Sequence, residues 1–343
     1  MQDIKELNLE ELTRILKTWQ EESFRAGQVF SWVYKKGAKD FDSMSDLSSG
    51  LRLKLKENFS FGLLKLLDKR LSADGTQKFL FGLADKGSVE AVSIPAESRV
   101  TGCLSTQVGC KFACSFCASG LHGFKRNLSV AEILEQVLFI KDSSKAKKLT
   151  HLVFMGTGEP LDNYDNLLKS IRIINSKDAF NIGARRITIS TCGITPGIKR
   201  LAEEGLQIEL SVSLHASDDK TRSRIMPINK RYPLKALLEA CREYIKKTNR
   251  QITFEYVLIR GLNSNLQSSR ELGRILRGLI CKVNLIPANF VEELRIAPPN
   301  KPEALYFRDS LLKAGINVTL RKPRGEDIEA ACGQLRLKHE NRI

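Results

Sequence analysis

Within the 343-residue chain, the run Gln107-Val108-Gly109-Cys110-Lys111-Phe112-Ala113-Cys114-Ser115-Phe116-Cys117 sets three cysteines in the spacing C-x-x-x-C-x-x-C. Three thiolates on one short loop can each bind one iron of a cubane [4Fe–4S] cluster, leaving the fourth iron without a protein ligand. At such an open corner the amino and carboxylate groups of S-adenosylmethionine can chelate iron. An electron passed into the sulfonium then breaks a carbon–sulfur bond to give a 5′-deoxyadenosyl radical. Phe116, just before the third cysteine, is the residue type this arrangement usually carries. A zinc staple with Cys103 as fourth ligand is the alternative. Four-cysteine zinc sites usually pair two close knuckles across a longer span, however, and the spacing here is seven, four and three.

Other residues suited to a ligand site recur at the ends of strand-like runs. Met155-Gly156-Thr157-Gly158-Glu159-Pro160 follows one such run; Gly158 would let backbone approach a ligand closely, and Glu159 could accept from an amino group. Ser190 closes the next run, Ser213-Leu214-His215 the one after, and Asn289 follows a later one. Each alone fits a cap or a turn, and His215 alone fits a hydrogen-bonded wall residue better than a metal ligand. Their recurrence at corresponding ends, on the side of the cysteine loop, is what marks them, because a βα barrel builds its active site there.

The elements that must position these residues follow from periodicity. From about residue 99 short apolar runs alternate with amphipathic ones, the pattern of repeated βα units on a parallel sheet. Strands are expected at 99–106, 150–156, 186–190, 207–214, 251–259, 282–287 and 316–321. Helices are expected at 129–141, 164–176, 195–204, 233–247, 265–277 and 302–314, the first with Ser129 as N-cap and Glu132 at the capping-box position. Six or seven such units fit a full or partial barrel better than an open sheet. Residues 1–58 read instead as short helices. Between 59 and 98, Asp74-Gly75 and Lys86-Gly87 punctuate strand-like runs, as in a hairpin or meander. Phe30, Trp32, Val33 and Tyr34 could stack on bases, but their helical spacing favours core packing.

Hydrophobic residues make up 42% and charged residues 27% of the chain, ordinary globular usage. The N-terminus is charged where a signal peptide is apolar, and no window approaches a membrane span, so a cytoplasmic protein is expected. Lys plus Arg exceed Asp plus Glu, 55 against 39, a net +16 that suits a polyanionic partner. The surplus is spread over runs such as Arg222, Arg224, Lys230 and Arg231, each of which reads singly as a solvated face. Of the eight cysteines, Cys192, Cys241 and Cys281 stand alone in apolar or helical stretches, as small buried hydrophobes do. Four others fall between 103 and 117, and Cys332 lies near the C-terminus.

These residues, taken together, resemble a known family: the dual-specificity radical methyltransferases acting on adenine carbon 2 in ribosomal and transfer RNA, with antibiotic-resistance relatives acting on carbon 8. The likeness runs through FRAGQVFSWVYKKGAKDFDSMSDL, VEAVSIP, CLSTQVGCKFACSFC, GFKRNL, MGTGEPLDNYDNL, ITISTCGI, SLHA, RSRIMPINKRYP, VNLIPAN and GEDIEAACGQL. It implies an α/β fold, a radical SAM partial (βα)6-type barrel. The implied division is a helical RNA-binding accessory domain at 1–58, a β-rich extension at 59–98, the core barrel at 99–322 and a C-terminal segment at 323–343.

The resemblance also implies roles. Cys110, Cys114 and Cys117 hold one [4Fe–4S] cluster. Gly158, Glu159, Ser190, Ser213, Leu214, His215 and Asn289 bind S-adenosylmethionine, Leu214 through its backbone. Cys332 is methylated first; hydrogen abstraction from that S-methyl group lets the methylene radical add to the adenine carbon. Cys103 then attacks the sulfur of Cys332, releasing the base and leaving a transient disulfide. Glu90, in VEAV, removes the proton from the adduct. The implied substrates are adenine 2503 of 23S ribosomal RNA and adenine 37 of transfer RNA. The other implied partner is a flavodoxin- or ferredoxin-like electron donor, and a monomer off the membrane is expected. Pro160 after the Gly-Glu pair points to the carbon-2 branch; carbon 8 is the alternative. Asn289-Phe290-Val291 departs from the family, which commonly continues with proline and aromatic residues.

Overall fold

The computed structural model describes residues 1–121, 123–144, 148–288, 296–321 and 324–328. The N-terminal module opens with a two-residue strand β1 (Gln2–Asp3). Helix α1 (Leu9–Thr18) follows, started by a capping box in which Asn8 and Glu11 exchange side-chain-to-backbone hydrogen bonds. Helix α2 (Phe24–Phe30) runs on through a π-helical turn to Lys36 and stops at left-handed Gly37. Helix α3 (Ser49–Asn58) leads into β2 (Phe59–Ser60), which pairs with β1 in parallel. Leu12, Leu16, Val29, Phe30, Val33, Tyr34, Leu51 and Leu55 are buried, so Phe30, Val33 and Tyr34 are core, with Trp32 partly buried against them. Buried Lys5 ties the module to the rest of the chain through an ion pair with Glu135 at 3.4 Å.

The turns at Asp74-Gly75 and Lys86-Gly87 do separate strands. β3 (Lys65–Leu71), β4 (Gln77–Gly82) and β5 (Ser88–Pro95) form an antiparallel meander. It joins β6 (Val100–Cys103) antiparallel, so the meander and the βα array share one ten-stranded sheet. Beyond β6 the chain makes the small hairpin β7 (Gln107–Gly109) and β8 (Phe124–Asn127), which brackets the cysteine loop.

The array then runs α4 (Val130–Ser143), β9 (Leu149–Phe154), α5 (Tyr164–Asn175), β10 (Ile187–Thr191), α6 (Thr195–Glu203) and β11 (Glu209–Ser213). It continues with α7 (Asp219–Ile225), α8 (Leu234–Thr248), β12 (Ile252–Leu258), α9 (Leu266–Leu276), β13 (Cys281–Pro287), α10 (Lys301–Lys313) and β14 (Asn317–Leu320). Strands β6 and β9 to β14 are parallel neighbours in chain order, with six crossovers between seven strands. Among the described residues β14 pairs only with β13 and β3 only with β4, so the array is a partial barrel and not a closed one.

Alternation divides the sheet. Leu152, Phe154, Ile187, Ile189, Leu210, Val212, Phe254, Tyr256, Val283 and Leu285 are fully buried on one face. The other face is polar, and register aligns its rows: Ser190 with Ser211 and Thr253, and Ser213 with Glu255 and Asn284. Helix α7 was not expected from the sequence. Its segment DKTRSRI carries no apolar stripe, and only Arg222 and Ile225 are buried.

Candidate active site

The cysteine loop is built by local backbone constraints. Gly109, just before Cys110, has φ +76°, a backbone conformation that only glycine takes readily, and a Cβ there would fall on the Gly123 carbonyl. That carbonyl accepts from the Cys110 amide at 3.1 Å, closing the loop at its base. Within the loop, the Cys117 amide donates to the Cys114 carbonyl at 3.0 Å, and the Ser115 amide donates to the Ile225 carbonyl at the end of α7 at 2.9 Å. Lys111 pairs with Asp162 at 2.5 Å, joining the loop to the turn after Glu159.

The three thiols are partly covered and act electrostatically on one another, and Cys114 packs in one cluster with Phe112, Phe116, Ile225, Met226 and Cys192. Burial pushes Cys110 up to about 12, and the neighbouring Cys117, Glu159 and Asp162 add to it. Cys114 is raised by burial, then by Cys117 and Cys110. Thiols that oppose one another's ionisation in this way become thiolates when cations sit among them. Among the described residues no three His, Cys, Asp or Glu side chains converge on a single-ion position. Ligands that each take a separate corner of a cubane do not need to converge, so the loop fits a [4Fe–4S] cluster. Cys103 is not part of it; it lies buried on β6, and the zinc alternative loses its fourth ligand.

The strand ends around the loop hold the remaining residues. Gly158 has φ +103°, and a Cβ there would meet the Gln107 side chain at 2.5 Å, so only glycine lets this turn lie against the loop's first strand. Gln107 is itself fully buried, donating to Asp162 at 2.9 Å while its Oε1 accepts from the Glu159 amide at 2.8 Å. Glu159 is buried with one carboxylate oxygen accepting from the Cys192 amide at 2.7 Å and the other from the Leu161 amide at 3.1 Å. Burial raises its carboxyl and these amides oppose the rise. Ser190, next to last in β10, and Ser213, last in β11, are half-buried on the polar face.

Leu214 is buried, its amide donating to the Glu255 carbonyl at 3.0 Å. His215 has φ +56°, and its Nδ1 accepts from the Val257 amide at 3.0 Å, which leaves the proton on Nε2. Burial, then the charge of Arg222, pushes this imidazole down to about 3. It is a neutral wall, edge-on to Phe116 with ring centroids 4.6 Å apart. Asn289 and Cys332 lie outside the described residues.

A second cluster forms where the meander joins the array. Register puts Lys78 opposite Val92 and Val92 opposite Cys103, so Lys78, Glu90 and Cys103 share the polar face. Glu90, which by itself reads as a surface carboxylate, is 3% exposed and pairs with fully buried Lys78 at 3.5 Å. Burial pushes the Cys103 thiol up to about 11, while the Met155 amide, Arg321 and Lys78 pull it down.

Two buried residues escaped the sequence reading. Arg222 belongs to a run read as a solvated face. Arg224, Lys230 and Arg231 are exposed, but Arg222 is 0% exposed, because the carbonyls at the strand ends give it partners inside. Glu255 faces the polar interior. One of its oxygens accepts from Asn284 at 3.1 Å, and the other has no hydrogen-bond partner among the described residues. Its only signal was a carboxylate inside the apolar run QITFEYVLI. Cys241 and Cys281 are buried as expected; Cys192 is buried too, but against the loop.

Comparison with known proteins agrees with this architecture. Residues 104–269 match the radical SAM superfamily, and residues 2–60 match the ribosomal RNA large subunit methyltransferase N-terminal domain. The chain is 46% identical over 340 residues to the "Probable dual-specificity RNA methyltransferase RlmN" of Caldanaerobacter subterraneus subsp. tengcongensis, covering 99% of both chains. It is 47% identical over 337 residues to the protein of the same name from Bacillus cereus, covering 98% of this chain and 93% of that one. A crystal structure of a radical SAM methyltransferase from Sphaerobacter thermophilus superposes with a TM-score of 0.94 at 41% identity, covering 97% of this chain and 99% of that one. No helix among the described residues is long and apolar enough to cross a membrane. With 46% identity along almost its whole length, the chain belongs to the RlmN family of radical SAM RNA methyltransferases, enzymes that use a [4Fe–4S] cluster and S-adenosylmethionine.

Proposed function

We propose that this enzyme methylates carbon 2 of adenine in 23S ribosomal RNA and transfer RNA, at adenines 2503 and 37 respectively, carrying the methyl group on Cys332 and releasing it through Cys103. The observation that carries the reading is the buried group of Cys103, Glu90 and Lys78 on the polar face, set apart from the cysteine loop. Cys110, Cys114 and Cys117 would hold the cluster, which together with S-adenosylmethionine would supply the radical that an unactivated aromatic carbon requires. Gly158, Glu159, Ser190, Ser213, Leu214, His215 and Asn289 are the residues assigned to the cosubstrate. The close turn at Gly158 and the neutral His215 suit a bound adenosyl group that excludes water.

The chain's own residues complete the cycle. Cys332 is a thiol whose S-methyl group can lose a hydrogen and join the base through carbon. The radical adduct gives up one electron, an oxidation the cluster would supply by taking back the electron spent on S-adenosylmethionine, and Glu90, paired with Lys78, takes the ring proton. Cys103 attacks the sulfur of Cys332: a sulfur–sulfur bond forms, the carbon–sulfur bond breaks, and the methylene carbon gains a solvent proton. The resulting disulfide takes two electrons and two protons from a thiol reductant before the next turnover. Cys103, protonated at neutral pH, is kept from reacting early.

Mass spectrometry of the product tests this directly. Anaerobically reconstituted protein, dithionite, dithiothreitol, unmodified ribosomal RNA and S-adenosylmethionine bearing a trideuterated methyl are expected to give 2-methyladenosine that keeps two deuterium atoms. Three retained deuteriums contradict the Cys332 route, and methylation at carbon 8 contradicts the ring position.

A further inference from the structure

Arg222 is the largest fully buried side chain of the described residues, and none of its hydrogen bonds goes to a carboxylate. Its Nε donates to the Leu214 carbonyl at 3.1 Å. Its Nη2 donates to the carbonyls of Cys192 at 2.8 Å and Ser213 at 3.1 Å, and its Nη1 to Asn229 Oδ1 at 2.9 Å. The nearest acid in this network is one side chain further away: Asn229 Nδ2 donates to Asp219 Oδ1 at 2.9 Å. Carbonyl dipoles satisfy the guanidinium's hydrogens but leave its net charge in a dry interior, an expensive arrangement unless an opposite charge lies close by.

The side facing the cysteine loop supplies the place for that charge. Arg222 lies one turn before Ile225, whose carbonyl anchors the Ser115 amide, and Ile225 and Met226 pack against Phe112, Cys114 and Phe116. The guanidinium is within electrostatic reach of the Cys192 and Cys114 sulfurs. His215, on the same wall, is neutral and adds no second cation. A cubane cluster bound by three thiolates is anionic, and one added electron deepens that charge.

We propose that Arg222 is a positioning residue for electron entry, the buried counter-charge that eases one-electron reduction of the cluster held by Cys110, Cys114 and Cys117. The proposal rests on the reading of those three cysteines as ligands. Net charge near the sulfurs is one of the quantities that set the potential of an iron–sulfur centre. A clamp that merely held the ends of β10 and β11 would leave the potential where it is.

The experiment is an anaerobic redox titration of the full-length reconstituted protein with dithionite, followed by electron paramagnetic resonance. In Arg222→Gln the reduction equilibrium is expected to become at least about tenfold less favourable, about 59 mV more negative for a one-electron couple. Arg222→Lys keeps the charge but loses the fork, and its potential is expected to stay nearer that of the parent. A Gln variant with four irons and the parent potential overturns the proposal. If that variant loads no cluster, the double variant Asp219→Asn/Asn229→Asp carries the test, because it moves a carboxylate against the guanidinium without changing the number of charges. It is expected to shift the potential in the same negative direction, and an unchanged potential again overturns the proposal. Failure of the parent protein to take up four irons removes the ligand reading as well, an outcome separate from an unchanged potential.

Discussion

Cys103 and the three cysteines of the loop that follows it lie within fifteen residues of chain, yet the fold gives them opposite surroundings. The loop thiols sit half-covered on a hairpin tip held by Gly109 and Gly123, where burial, one another and the carboxylates of Glu159 and Asp162 oppose their ionisation and the Arg222 guanidinium favours it at Cys114. Cys103 sits at the end of β6, buried, between the Glu90 carboxylate and the cations Lys78 and Arg321. The first environment asks for metal cations. The second holds a solitary thiol in reserve beside an acid–base pair. Sequence spacing puts all four in one group, and only the register of β5 against β6 separates them.

The sharpest way to break this contrast is to remove loop ligands. Alanine at any of Cys110, Cys114 or Cys117 is expected to abolish loading of four irons, with loss of the brown chromophore and of all methyl transfer. Iron and sulfide analysis after anaerobic reconstitution checks it. On the other side, Lys78→Met breaks the buried ion pair with Glu90 and is expected to destabilise the protein by about 3–5 kcal/mol, read as a lowered denaturant midpoint. A midpoint equal to the parent's would mean that the pair does not hold that corner together.

A smaller effect is expected from Gly158→Ala. The φ of +103° and the 2.5 Å approach to Gln107 cost about 1–3 kcal/mol of local strain. The expected result is a severalfold rise in KM for S-adenosylmethionine with iron content unchanged. The mildest effect concerns pH. Cys103 is raised to about 11, so its reactive thiolate is scarce at neutrality and grows about tenfold per pH unit below that value. Release of RNA from the covalent adduct is therefore expected to quicken as pH rises from about 7 to about 9. A flat profile would place deprotonation of Cys103 outside the slow step.

The βα array was legible in the sequence because each parallel strand buries one apolar face against helices. The runs at 150–156 and 251–259 became β9 and β12 nearly residue for residue. The cysteine loop was legible because its spacing is local. Helix α7 was not, since its segment is polar apart from Ile225. Arg222 was hidden for a related reason: residue type gives charge, whereas burial depends on carbonyls from Cys192, Ser213 and Leu214 that meet only after folding. Glu90 was marked by family likeness alone, for its partner Lys78 is brought to it by strand pairing and not by proximity in the chain. Ser190, Ser213 and His215 were visible as polar ends of strands, but the left-handed backbone of His215 and the acceptor role of its Nδ1 depend on β12.

The measurement that bears most directly on the division between cluster ligands and resolving thiol is a denaturing gel of Cys103→Ala after reaction with RNA, run beside its iron analysis. The expected result is four irons, undiminished cleavage of S-adenosylmethionine and a protein band shifted by covalently attached RNA. Loss of iron in this variant, or full cluster with no RNA adduct, would contradict the account.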